Sequence, residues 1–135
     1  MFKIGEVAKL TGVSVDTIRH YTRKGLLAPK RDSNNGYQHY SKTDVQRVRF
    51  ILQAKRLGYT LKEIDEIVCE ARQGRSPCPR VRDIIEARIG ENRQKVEELN
   101  NLQARMEAAL QRWRSMPDGI PDGESVCHLI EGEVE

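Results

Sequence analysis

Residues 4–25 read IGEVAKLTGVSVDTIRHYTRKG, and this stretch decides the fold. Apolar residues recur at helical spacing as far as Leu10, and Gly12 is expected to end this first helix. Ser14 is a typical N-cap residue, so it predicts a second helix that reaches Gly25. Two short helices joined by a turn that contains glycine predict a helix-turn-helix, whose second helix is a candidate reader of the major groove.

The pattern changes in residues 26–40. Asn35-Gly36 is a strong hairpin signal, because a type I′ turn needs positive φ at both central positions. A basic residue, Arg31, precedes this turn, and Tyr37 follows it. The segment therefore predicts a wing that grips the phosphate backbone, with Tyr40 packing the hairpin onto the domain.

Two more helices are predicted after the wing. Ser41 is expected to cap the first, which has a buried stripe that includes Leu57 and ends at Gly58. Thr60 is expected to cap the second, and its apolar side continues to Cys69. We therefore expect Cys69 to be a small buried hydrophobic residue.

A long helix is predicted from about Arg80 to Arg114, which would be about 50 Å long. Uncharged residues recur along it at alternating intervals of four and three, which is the spacing of a heptad seam. The seam consists of Ile85, Ile89, Asn92, Val96, Leu99, Gln103, Met106, Leu110 and Trp113. Packing against the amino-terminal domain could cover only part of such a helix. A second copy of the chain is the simplest partner, so we expect a homodimer.

These observations give a mainly α protein in three parts. Residues 1–73 form the winged helix-turn-helix domain, residues 80–114 the dimerisation helix, and residues 115–135 a loop and tail. The tail has Pro117, Gly119, Pro121 and Gly123 in quick succession, followed by a short apolar piece.

The charge of the chain is unevenly distributed. Its 135 residues are 38% hydrophobic and 32% charged. Residues 1–60 hold 12 Lys/Arg against 4 Asp/Glu, a balance of +8, and residues 61–135 hold 11 against 16, a balance of −5. A basic first half indicates a polyanionic partner, although a solvated surface could carry the same charge.

Composition also bears on location and on function class. No apolar run approaches the roughly 20 residues that span a bilayer, and no export signal opens the chain, so we expect a cytoplasmic protein without a membrane partner. A glycine-rich phosphate loop, a nucleophile elbow and an H-E-x-x-H helix are all missing from the sequence, so we predict no catalytic residues. A coiled-coil adaptor with no DNA role is the other competing class, which the basic winged segment disfavours.

A set of motifs in residues 2–70 resembles the MerR family of bacterial transcriptional regulators. Each motif is weak alone, but they follow one another at the family's spacing: residues 4–8 (IGEVA), 17–21 (TIRHY), 25–27 (GLL), 35–37 (NGY) and 57–64 (LGYTLKEI). The long helix that follows is similar to the family's dimerisation helix, which pairs in an antiparallel coiled coil.

The resemblance implies a mechanism in which the dimer binds a palindromic element between the two promoter hexamers. These hexamers are spaced too far apart for RNA polymerase. Effector binding then bends and untwists this DNA, which is indirect readout used as a switch. By the same resemblance, the side chains that match DNA-contacting positions are Arg19 and Tyr21 in the second helix and Arg31 and Tyr37 in the wing. Thr17 and His20 are expected to contact the DNA beside them, because helical spacing leaves both facing outward on the second helix. His20 and Gln38 depart from the residues usual in the family.

The resemblance also indicates an effector. Cys78 lies where family members that sense zinc, cadmium, lead or mercury carry a cysteine, whereas relatives that sense monovalent copper or gold have serine. In an antiparallel dimer, Cys78 of one chain could meet Cys127 of the other, with His128 as a possible third ligand. Thiolates are the ligands that soft metals select.

Other effectors stay open at this point. The chain lacks a counterpart of one cysteine that metal-sensing relatives carry in the carboxyl-terminal loop, and Met116 stands near that place. The thiols could instead respond to oxidants or electrophiles, because a cysteine at a helix start gains thiolate character. A small organic effector is the remaining alternative.

Overall fold

The structure is a computed structural model, and it describes residues 1–134. It contains six helices and one small antiparallel sheet within that range: α1 Ile4–Thr11, α2 Val15–Arg23, β1 Lys30–Arg31, β2 Gln38–His39, α3 Lys42–Arg56, α4 Leu61–Arg72, α5 Cys78–Trp113 and α6 His128–Glu131. The predicted class, a mainly α protein with a winged helix-turn-helix and a long following helix, is confirmed. Among residues 1–134, no helix is both long and apolar enough to cross a membrane.

Local sequence signals explain the helix-turn-helix. Gly12 has a φ of 74°, so α1 ends in a left-handed conformation that glycine adopts without strain. Ser14 then caps α2, because its side-chain oxygen accepts the backbone N–H of Thr17 at 3.1 Å. Ile18 is fully buried in the core and α2 packs against α1, which fixes the second helix on the domain with its exposed face outward.

The wing differs from the predicted hairpin. Its strands pair Lys30 with His39 and Arg31 with Gln38, so residues 32–37 form a longer connection than a two-residue turn. Gly36 has a positive φ of 72°, but Asn35 does not, and a type I′ turn needs both.

Side chains explain this longer wing connection. Asp32 Oδ1 accepts the backbone N–H of Asn34 at 2.8 Å, and Asn35 Oδ1 accepts that of Tyr37 at 3.0 Å. These local bonds satisfy the backbone and so replace the tight turn.

Ser41 and Thr60 cap α3 and α4 as the sequence predicts, and in the structure each forms a capping box, Ser41 with Asp44 and Thr60 with Glu63. Two burial predictions are wrong. Leu57 is 62% exposed because it is the C-cap residue, just beyond the last turn of α3, and so does not continue the buried face of that helix.

Cys69 is also exposed, so the prediction of a buried thiol is wrong. It follows Ile67 and Val68, which are buried and occupy the apolar face of α4. The next position along the helix turns away from that face, toward Gln73.

The core lies in the first of two compact units, Met1–Arg88. Fifteen buried residues from α1, α2, α3, α4 and the segments between them form it: Val7, Val13, Ile18, Tyr21, Leu26, Leu27, Tyr40, Val45, Val48, Ile51, Ala54, Tyr59, Ile64, Ile67 and Val68. The first turns of α5 belong to this unit, since Val81, Ile84 and Ile85 pack against the core.

Polar contacts also fasten these turns of α5 to the rest of the first unit. Arg88 pairs with Glu63 at 2.6 Å, and Arg80 pairs with Glu70 at 2.7 Å. The Tyr59 hydroxyl donates to the carbonyl oxygen of Val81 at 2.7 Å.

The long helix begins at Cys78, two residues earlier than predicted, so this cysteine is in the first turn rather than before it. The second unit begins at Ile89. From there the heptad seam is uncovered within the chain: Ile89 is 46% exposed, Val96 57%, Leu99 64%, Met106 57% and Leu110 47%. Ile85, the expected first position of the seam, is partly buried on the core of the first unit.

Candidate nucleic-acid interface and metal-binding loop

A basic depression of about 690 Å³ lies between α1, α2 and the wing. It brings together three of the side chains predicted to contact DNA, Arg19, Arg31 and Tyr37. Its full lining is Lys3, Ile4, Gly5, Glu6, Lys9, Arg19, Arg31, Gly36, Tyr37 and Gln38. Positive charge from a helix and from a wing on one concave surface suits a phosphate backbone.

The Arg19 side chain makes only a weak, exposed ion pair within its own helix. Its guanidinium lies 3.2 Å from the carboxylate of Asp16, and the two side chains are 56% and 94% exposed. An exposed pair of this kind is worth only about 0.2–1 kcal/mol, so Arg19 can exchange Asp16 for a nucleic-acid group at small cost. Thr17 and His20, on the same helix, are both partly exposed.

Two tyrosines in this region have different environments. Tyr37 is 65% exposed at the tip of the wing. Tyr40 is fully buried, and its hydroxyl lies 3.0 Å from that of Thr22, so it packs the wing onto the domain as expected.

Tyr21 is placed differently from the other predicted contacts. It is 2% exposed and belongs to the core, so its ring packs the domain. It also lines a second surface depression, beside Thr17. The DNA contact expected of Tyr21 stays a prediction, and its burial leaves little of the side chain exposed to make it.

Sequence reasoning missed several cations near these side chains. Lys3 and Lys9 reach the basic depression from the two ends of α1. Arg49, Lys55 and Arg56, on α3, line the second depression, which also holds Ser14 and Thr17. The +8 balance of residues 1–60 was the available signal, but it does not say which cations share a face.

The wing carries one polar cluster of its own. The backbone N–H of Asn34 holds the pKa of the Asp32 carboxyl below its usual range, and His39, whose Nε2 lies 3.4 Å from Asp32 Oδ2, lowers the same pKa. Asp32 also donates its backbone N–H to the carbonyl oxygen of Tyr37 at 2.8 Å. These bonds fix the loop that presents Tyr37.

The carboxyl-terminal loop folds into a depression of about 630 Å³ that Cys127 and His128 both line. Cys127 is partly exposed and directly precedes α6. The Glu131 carboxylate accepts the backbone N–H groups of Val126 and Cys127, the first at 2.8 Å. These bonds fix the backbone at Cys127 and at the residue before it.

Acidic side chains in this loop serve its own backbone. Asp122 Oδ1 accepts the N–H groups of Glu124 and Ser125, both at 2.9 Å, and these bonds hold the pKa of Asp122 below its usual range. Glu133 accepts the indole N–H of Trp113 at 3.2 Å and pairs with Arg112. The carboxylates thus shape the loop and anchor the tail on the end of α5.

Cys78 is exposed at the start of α5 in the first unit, whereas Cys127 and His128 belong to the second. The backbone N–H of Cys78 donates to Ser76 Oγ at 3.3 Å. Within residues 1–134 of a single chain, no three His, Cys, Asp or Glu side chains lie together as a metal site would need.

Comparison with known proteins gives the family. The family profile of the MerR HTH family regulatory protein matches residues 2–70, and that of MerR, DNA binding matches residues 45–109. The mercuric resistance operon regulatory protein of Bacillus cereus is 34% identical over 132 residues, which are 96% of this chain and 95% of that protein.

Solved structures agree. The transcription regulator PbrR691 from Ralstonia metallidurans CH34, in complex with lead(II), has a TM-score of 0.76 and 26% identity and covers 98% of both chains. The dual function transcriptional regulator MerR from Bacillus megaterium MB1, in complex with mercury(II), has a TM-score of 0.63 and 26% identity, covering 97% of this chain and 98% of that one. With a profile match over half of its length and 34% identity over nearly all of it, this chain belongs to the MerR family of helix-turn-helix regulatory proteins.

Proposed function

We propose that this chain is a homodimeric transcriptional regulator that binds promoter DNA and distorts it in response to a soft divalent metal ion. The basic depression carries the DNA-binding part of this proposal, because Lys3, Lys9, Arg19 and Arg31 converge there from a helix-turn-helix and a wing. Such a regulator acts on promoters with RNA polymerase in the cytoplasm, and its role is regulatory rather than catalytic.

Dimer formation is supported by the uncovered seam of α5. Leu99, at 64%, and Val96, at 57%, are exposed apolar residues on a helix whose charged residues lie on its other sides. A second copy of the seam, paired as an antiparallel coiled coil, would remove these side chains from water.

Metal sensing is supported by the donor set and by the relatives. The Bacillus cereus relative is named for mercuric resistance, and the two similar solved structures hold lead(II) and mercury(II). Cys78 and the partner's Cys127, with His128 as third ligand, offer two thiolates and an imidazole, which suit zinc, cadmium, lead or mercury. Cys78 is exposed and Cys127 partly exposed, so both thiols are open to an ion.

Native mass spectrometry of the reduced protein tests the sensing part. Zinc, cadmium, lead and mercury are offered in turn to the wild type and to Cys78→Ser, Cys127→Ser and Cys69→Ser. We expect a metal-loaded dimer that the first two substitutions abolish. Cys69→Ser is the matched control, because Cys69 is an exposed thiol on α4 outside the proposed site. A metal-free dimer with every ion, or equal loading of Cys78→Ser, would refute it.

DNA binding is tested separately. Selection from a random duplex pool, followed by fluorescence anisotropy on the enriched sequence, should give a palindromic site whose binding weakens steeply with salt. Failure to enrich any sequence would refute the DNA-binding part while leaving the metal result standing.

A further inference from the structure

The imidazole of His128 is held by two contacts inside the carboxyl-terminal loop. Its Nε2 lies 3.0 Å from the carbonyl oxygen of Pro117. Its ring also lies so close to Gly119 that a Cβ built on this glycine would be 2.2 Å from Cδ2 and 2.7 Å from Nε2. The loop therefore fixes the position of this side chain.

The contact with Pro117 also fixes the tautomer. A carbonyl oxygen only accepts, so Nε2 must carry the proton, and a neutral ring then has its lone pair on Nδ1. Metal-bound histidines commonly donate the other ring N–H to a backbone carbonyl in this way, which orients the ring and raises its basicity. Within the described chain, no hydrogen bond to His128 Nδ1 competes with an ion.

Gly119 is needed for space and not for its backbone angles. Its φ lies outside the left-handed region, so alanine could adopt the same backbone conformation. The added methyl would overlap the imidazole, and the ring would have to move. Gly123, in the same loop, is also outside the left-handed region, and a Cβ there would meet nothing within 4 Å.

We propose that His128 binds the effector ion through Nδ1. The carbonyl of Pro117 orients the ring, and Gly119, which has no side chain, leaves the space that the ring occupies. This inference rests on the metal-sensing function proposed above, and it narrows the choice of effector ion. An imidazole beside two thiolates suits a divalent ion that takes three or more ligands, zinc or cadmium. Mercury accepts two thiolates in linear coordination, so it does not need His128.

The first test measures zinc and cadmium affinity by competition with a chromophoric chelator. Gly119→Ala should weaken both by about 10- to 100-fold, as loss of an orienting contact does at other metal sites. Gly123→Ala should bind as the wild type does. His128→Ala should lose zinc and cadmium by at least the Gly119→Ala factor while it keeps mercury. Equal affinity of Gly119→Ala and Gly123→Ala, or of His128→Ala and wild type, would overturn the proposal.

The second test identifies the ligating atom. In protein labelled with ¹⁵N-histidine, long-range ¹H–¹⁵N spectra of the metal-free dimer should show His128 as the Nε2–H tautomer. Addition of ¹¹³Cd should produce a cadmium–nitrogen coupling at Nδ1. A coupling at Nε2, or none at His128 while cadmium binding still depends on Cys78 and Cys127, would overturn the inference and leave the proposed function intact. Loss of zinc and cadmium binding with mercury or lead still bound would overturn the inference alone, and a dimer that binds none of the four ions would overturn both.

Discussion

Replacing Arg19 by alanine tests the proposed DNA interface most sharply. Arg19 is the cation of α2 that lines the basic depression, and among residues 1–134 its ion-pair partner is Asp16, which is exposed on the same helix. Breaking that pair costs about 0.2–1 kcal/mol, which is less than the roughly 1–3 kcal/mol expected from an arginine that reads a base edge. Arg19→Ala should therefore weaken specific binding by about 5- to 150-fold per half-site.

The salt dependence separates two ways in which Arg19 could act. The depression presents Lys3, Lys9, Arg19 and Arg31, and each phosphate contact adds about 0.9 to the slope of log K against log salt. Lys9→Ala should lower that slope by about one contact and weaken all sequences alike. Arg19→Ala should instead weaken the selected site more than a scrambled duplex.

The assay is fluorescence anisotropy at several fixed salt concentrations, with the selected operator and a scrambled duplex. Asp16→Ala is the matched control, because it removes the partner of Arg19 and leaves the guanidinium on the same helix. We expect it to bind at least as tightly as the wild type. Unchanged affinity and slope in Arg19→Ala, with normal folding by circular dichroism, would remove this residue from the interface and refute the reasoning.

Three further predictions concern the dimer, the fold and the wing. Leu99→Lys should dissociate the dimer in sedimentation experiments, because it places a charge in the apolar seam of α5. Glu97→Lys, outside the seam, should leave the dimer intact. A dimeric Leu99→Lys would contradict the proposal that this seam forms the dimer interface. Asp44→Ala should lower the free energy of unfolding by about 2–4 kcal/mol in urea titrations, since Asp44 is 6% exposed and accepts the N–H groups of Ala28 and Ser41 at 3.0 Å; a loss under about 0.5 kcal/mol would refute this. The pKa of Asp32 is lowered in the folded wing, so the ionised carboxylate stabilises the fold at pH values above the ordinary aspartate pKa. This stabilisation is lost as the pH falls through the lowered pKa. A carboxyl ¹³C titration that shows an ordinary aspartate pKa would contradict the prediction.

The parts of the fold that were predicted correctly are those governed by neighbouring residues. Ser14, Ser41 and Thr60 cap helices because their side chains reach a backbone N–H three residues on, which is visible in sequence. The wing turn was predicted wrongly because Asp32 and Asn35 compete for the same backbone groups as a two-residue turn. A dipeptide signal cannot register that competition.

The site was only partly predictable for a related reason. Arg19, Arg31 and Tyr37 were found through the family motifs, but Lys3 and Lys9 join them only because α1 packs beside the wing, which is a tertiary fact. Cys69 was misplaced because one position of helical rotation separates it from Val68, within the error of a periodicity argument. The support that Pro117 and Gly119 give to His128 has no sequence signal, since it depends on how a proline- and glycine-rich loop folds back.

The most direct test of the central claim is transcription in vitro with purified RNA polymerase, on a promoter carrying the selected operator. The wild type, Cys78→Ser and the Cys69→Ser control are compared without metal and with zinc, cadmium, lead or mercury in turn. The account predicts that at least one of these ions raises the transcript yield with the wild type and with Cys69→Ser but not with Cys78→Ser, while all three proteins stay bound to the DNA. An equal response of Cys78→Ser and wild type, or no response of the wild type to any of the four ions, would contradict it.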